Sequence, residues 1–137
     1  MSQSASMALR KAIYHALQTD PVLVSKIGNK AIYDEAPGKI DPPYITCGQI
    51  TSRDWSASQD KGDEHDLILH CWSMQPGTGH VLDLAADIIR ILDDSTLQLE
   101  AHHLVLITYV GLETRRENKG RYAMAALRFK VLTERDH

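Results

Sequence analysis

Cysteines, aromatic residues and long apolar runs are all scarce in this chain, and each scarcity removes a class of explanation. Only two cysteines occur, Cys47 and Cys71, each inside an apolar, strand-like run. Neither belongs to a CxxC pair or lies near a histidine pair at ligand spacing, so both read as small buried hydrophobes in a reducing compartment. Aromatics are low at 6%, with one phenylalanine and two tryptophans. The longest apolar runs are a few residues, far short of the ~20 that span a bilayer. The first residues, MSQSASMALRK, lack a basic region followed by an apolar core, so no signal peptide is expected. There is no basic excess: 15 Lys and Arg stand against 18 Asp and Glu, for a net charge of −3. Direct, sequence-specific nucleic-acid binding is therefore not expected, because phosphate neutralisation needs a basic surface.

What remains is an ordinary globular composition, 43% hydrophobic and 24% charged over 137 residues, which predicts one domain over 1–137. A chain of this size can bury enough surface to fold without a disulfide or metal.

Residues 4–18 carry Leu9, Ile13 and Leu17 at helical spacing, behind serines able to cap. Asp20-Pro21 restarts a short second helix, which Gly28-Asn29 stops. Ala31-Ile32-Tyr33 reads as a short strand, and Pro42-Pro43 delivers the chain already extended into a strand over 44–50. Residues 51–64 are polar and read as a long hairpin connection whose one large apolar residue is Trp55. The run 65–73 reads as a central strand, mostly apolar on both faces, implying cover by helices or partner subunits on both sides.

Thr78 can cap the second main helix, whose inward stripe is Val81, Leu84, Ala85, Ile88, Ile91 and Leu92, with Asp83, Asp87 and Arg90 towards water. Strands over 102–110 and 122–132 follow, joined by a charged loop over 111–120. This order predicts an α+β fold: an antiparallel β-sheet with two main helices packed on one face and long β-hairpin loops.

No set of residues makes a persuasive catalytic, cofactor or metal site. His65 and His70 lie five residues apart on one strand and point to opposite faces; His102 and His103 diverge in the same way. Asp63, Glu64, His65 and Asp66 form an acid–base cluster on paper, but at a loop-to-strand junction solvated charge is the ordinary outcome. There is no GxSxG elbow or phosphate-binding glycine loop, and Gly77-Thr78-Gly79 is explained by helix capping. A small metal-dependent hydrolase using His65, Asp66 and His70 is the alternative from a different class.

The two long connections carry opposite charge. Residues 54–66 hold five acidic residues and one lysine, whereas 111–121 hold four basic and two acidic residues. Either they are solvated hairpin tips, or one subunit's acidic hairpin meets its neighbour's basic one. The candidate contact residues are Arg53, Asp54, Trp55, Asp60, Asp63 and Glu64 on the first, and Arg115, Arg116, Lys119 and Arg121 on the second. Trp55 is the natural anchor, unless it folds back on its own sheet.

The order of these pieces resembles the tail-terminator, or tail-completion, proteins of long-tailed phages, prophages and gene transfer agents. The resemblance rests on the first helix leading into Asp20-Pro21, Ile32-Tyr33 with Pro37, Pro43-Tyr44-Ile45 and Asp54-Trp55-Ser56. It continues through residues 64–73, 99–105, Gly120-Arg121-Tyr122-Ala123 and Leu127-Arg128-Phe129, covering about residues 5–134. It implies a non-enzymatic α+β subunit of a ring, commonly hexameric, that needs no cofactor. Such a ring caps the tail tube and joins it to the head connector, in the cytoplasm during assembly and in the particle's neck afterwards. Another head–tail joining protein of the neck is the near alternative. Similar proteins are expected to have a glycine before the first histidine of Ala101-His102-His103, so backbone geometry there stands apart.

Overall fold

The computed structural model describes residues 4–28, 31–34, 38–55, 61–117 and 119–135. Ser4 starts the first helix, α1 (Ala5–Thr19), its hydroxyl accepting the Met7 N–H at 3.2 Å. Leu9, Ile13 and Leu17 then recur once per turn and are buried. Asp20 caps α2 (Pro21–Ile27): a carboxylate oxygen accepts the Leu23 N–H at 3.0 Å, and Pro21 occupies a first-turn position where an absent N–H is harmless. Gly28, at φ +86°, ends it.

Five strands follow, interrupted by one helix: β1 (Ile32–Tyr33), β2 (Tyr44–Asp54), β3 (Gly62–Ser73), α3 (Gly79–Leu92), β4 (His102–Glu117) and β5 (Tyr122–Arg135). The sheet order is β1-β2-β3-β5-β4. The four long strands pair antiparallel, as the sequence implies. β1 instead runs parallel to β2, Ile32 pairing with Ile45 and Tyr33 with Thr46. The Pro42-Pro43 peptide is cis.

All three helices pack on one face. Their buried stripes meet Ile45, Leu67, Leu69, Cys71, Leu127, Phe129 and Val131 in a single core. The alternate residues of β3, namely Ile68, His70 and Trp72, point to the other face and are only partly buried. Cover on both faces, expected from the apolar content of 65–73, is thus supplied by this chain on one face only.

Three further expectations are corrected. The hairpins are longer in strand and shorter in loop: β2 and β3 reach Asp54 and Gly62, and β4 reaches Glu117. Polar composition marked these stretches as loop, yet a solvated sheet face takes alternating charged residues without losing its ladder. Asp87 is 7% exposed and not in water. Its carboxylate lies 2.7 Å from Lys26 Nζ of α2, a partner too distant in sequence to foresee. Thr78 sits at the N-cap of α3, but its side chain makes no capping bond.

Candidate assembly interface

The helix-free face presents a ladder of charge across β2, β3 and β5. Arg53 Nε lies 3.0 Å from Glu64 and its Nη2 2.9 Å from Asp66, while Lys130 Nζ meets the other Glu64 oxygen at 3.0 Å. The Lys130 and Arg53 bonds hold the Glu64 carboxyl below its ordinary range. Such exposed pairs add little stability, but they fix the register of the hairpin. They also spend part of its acidic charge within the subunit. Asp54 and Asp63 stand opposite each other at the strand ends. Asp60 lies outside the described residues.

Register shows where the two hairpins point. Gly62 pairs with Glu134, and Arg135 with His102, at one end of the sheet; Ser73 and Arg116 both pair with Ala123 at the other. The β2–β3 and β4–β5 turns are therefore at opposite ends, separated by the twelve residues of β3. The eleven steps from its first residue to its last, at ~3.3 Å each, make this roughly 36 Å.

At the second end Arg115 pairs with Glu117 at 3.0 Å, while Arg116, Lys119 and Arg121 are exposed and make no ion pair among the described residues. The sequence-proposed residues therefore fall into two separate groups and not one site.

Trp55 belongs to the first group. Its N–H bonds the Gly62 carbonyl at 2.9 Å, and its ring lies across Gly62. A Cβ on Gly62 would stand 2.9 Å from the indole and 2.7 Å from the Thr133 carbonyl oxygen. Only glycine gives this seat. Gly62 is in step with Glu64 and Asp66, so the ring covers the helix-free face. Trp55 thus folds back along one edge and stays 42% exposed on the other.

The histidines separate as parity requires. His65 is fully buried, with Nδ1 2.6 Å from the Ser52 hydroxyl and Nε2 3.0 Å from that of Thr133. Burial, chiefly, and nearby His102 lower its pKa, while Asp63 and Asp66 act the other way. His70 is on the opposite face, over Gly48 and edge-on to Trp72. Asp66 is paired with Arg53. His65, Asp66 and His70 do not converge, and no group of three His, Cys, Asp or Glu residues is placed to hold a metal among the described residues.

Two Ser–His contacts of 2.6 Å, Ser52–His65 and Ser73–His80, escaped sequence reasoning. Extending the hairpin would have revealed the first, because Ser52 and His65 are register partners. Each resembles half of a nucleophile–base pair. In the first, the second ring nitrogen meets a threonine hydroxyl where a triad places an orienting carboxylate, and the imidazole is sealed from solvent. In the second, Ser73 is itself buried and its oxygen accepts the Gln75 N–H at 3.0 Å, which suits a turn brace.

Cys71 is a core thiol, pushed up to about 12 by burial, and donates to the Val81 carbonyl at 3.6 Å. No helix among the described residues is long and apolar enough to cross a membrane.

Comparison with known proteins adds a family to this geometry. A search of curated proteins finds no match. Among solved structures, a chain from the virion of a native gene transfer agent particle is 27% identical and superposes with a TM-score of 0.88. The match covers 97% of this chain and 99% of that one. The model of the family described as tail completion protein gp17 matches residues 11–134. Spanning nearly all of the described fold, that match makes this chain a member of the tail completion protein gp17 family.

Proposed function

We propose that this protein is a ring-forming tail terminator that works without catalysis or a cofactor. Copies of the chain, six in the ring, close the head-proximal end of a tail tube and present the opposite surface to the head connector. It acts in the cytoplasm during assembly and then stays in the neck of the particle. The observation that carries this reading is the end-to-end likeness to a chain of a gene transfer agent virion.

The geometry supports a subunit with two different axial partners. In this arrangement the strands run along the ring axis, so the two hairpin ends open at opposite mouths. Arg115, Arg116, Lys119 and Arg121 address an anionic partner surface at one mouth. Arg53, Asp54, Trp55, Asp63 and Glu64 lie at the other, where subunits and tube meet in this reading. Exposed cations such as these guide approach and register more than they add affinity.

Native mass measurement of the purified chain, alone and with its tail tube protein, tests the ring. A hexameric mass, or six copies per tube end, is the expected result. A monomer under both conditions contradicts it.

A further inference from the structure

Both edges of the sheet are left open over part of their length. β4 is an outer strand of 16 residues, and β2 is covered on its outer side only by the two residues of β1. Bonds within the chain mark where each edge is taken. On β2, Ile45 donates to the Ala31 carbonyl at 2.9 Å, and β1 pairs with Ile45 and Thr46. On β4, the Ile107 carbonyl accepts the Asp94 N–H at 2.9 Å, and the Tyr109 N–H donates to the Asp93 carboxylate at 2.8 Å. Past these points the main chain of 47–53 and of 110–117 has no outward partner among the described residues. Both stretches are largely exposed. Val110, at 61%, is the most exposed large apolar side chain among the described residues. An open edge of this length is a template for another strand.

We propose that residues 47–53 of one copy pair antiparallel with residues 110–117 of the next, so that the sheets run on around the ring as a closed barrel with the helices outside. The inference rests on the ring reading given above.

Three observations point to a second copy as the strand that pairs. The first is direction. β2, β3, β5 and β4 alternate, so β2 and β4 run oppositely and rotation brings one beside the other antiparallel. The second is that the covered parts do not obstruct. With the two stretches side by side, the neighbour's β1 falls beyond Glu117, and Asp93 and Asp94 fall beyond the neighbour's Asp54.

The third is the offset between the stretches. Ile50, at the middle of the first, is level with Tyr109 through Leu67 and Phe129. The middle of the second lies roughly four to five residues further along β4, or about 15 Å at ~3.3 Å per residue. Four strands at ~4.8 Å span about 19 Å, so the offset corresponds to strands tilted about 38° from the ring axis. Closed barrels tilt their strands by roughly 35–45°. Strands so tilted still open the two hairpin ends at opposite mouths.

The hand agrees as well. β3 and β4 are parallel and joined through α3, and the right-handed rule for such crossovers sets β2 to the right of β4, seen from the helices with β2 upward. The free stretch of β2 is then the higher one, as right-handed strand twist requires of a barrel seen from outside. A strand from an unrelated protein is under none of these constraints. The two edges are unlike, so the contact repeats around a ring and does not close at two copies. Main-chain bonds carry it, which leaves exposed side chains such as Arg116 to address the axial partner.

Hydrogen exchange on the full chain, read residue by residue, tests the pairing. The chain is measured alone, at concentrations up to about 1 mM, and with its tail tube protein. In the ring, the outward amides of 47–53 and 110–117 exchange at least about tenfold more slowly than unpaired amides. A ring in which either stretch still exchanges freely overturns the proposal and leaves the ring reading intact. Protection of 110–117 alone, the mark of like edges or another partner, does the same. A chain that stays monomeric under every condition overturns both.

Discussion

Gly62 sets the position of Trp55, since any side chain there meets the indole and the Thr133 carbonyl at once. Gly62→Ala is therefore expected to displace the indole from the sheet and to destabilise the fold by about 1–3 kcal/mol through overpacking. Tryptophan emission shifting to the red, together with a lower urea midpoint, checks both effects. The residue that most resembles a catalytic group, His65, serves the core. Thr133→Val takes away the partner of its Nε2, leaving a buried polar atom unpaired at a cost of about 1–3 kcal/mol.

His65 also gives stability a pH dependence. Its folded pKa lies below the ordinary 6.5, so the unfolded chain binds the proton more readily. The stability this contributes is complete above pH 6.5 and is lost as pH falls. His70, lowered chiefly by burial as well, adds in the same direction. Asp20, held low first by Arg90, adds a further loss only as pH falls below 3.8. Urea titrations across pH are expected to show two acid limbs, with His65→Gln shrinking the first. A flat profile down to pH 4 contradicts this assignment.

At the scale of elements, capping and periodicity were readable because they depend on neighbours in the chain. The Asp20-Pro21 pair and the Gly28 stop each act within four residues and stand as read, and of the serines read only as able to cap, Ser4 is the one that does. The alternation of β5 was legible for the same reason, with Leu127, Phe129 and Val131 inward. What escaped depends on distant partners. Asp87 is buried because Lys26 and Arg90 reach it, and β2 and β3 extend because Arg53, Glu64, Asp66 and Lys130 pair across three strands.

The candidate interface residues were named by composition, but their division between two ends required the register. Asp20 joins the two kinds of information: it caps α2 locally and grips Arg90 of α3 through two bonds of 3.0 and 2.7 Å. Asp20→Ala is expected to cost about 1 kcal/mol from the lost cap alone. Asp20→Asn, which keeps a capping oxygen but not the charge, is expected to lose less in the same denaturation assay.

For the whole molecule, one helical layer on one sheet face leaves the opposite face broad and open. This two-sidedness is what a ring subunit with different neighbours requires. The cations of Arg116, Lys119 and Arg121 stand some 36 Å along β3 from the Trp55 end, by the ~3.3 Å rise per strand residue. Reversing them (Arg116→Glu with Arg121→Glu) is expected to impair joining to the axial partner while leaving subunit association in place. Sedimentation of the variant, with and without that partner, separates the two effects.

The central claim, that this chain ends a tail and prepares it for the head, is tested most directly by electron microscopy of particles from cells lacking it. Tails of uncontrolled length, or tails and heads left unjoined, are the expected result, restored by supplying the chain in trans. Complete particles with normal tail length would contradict the account.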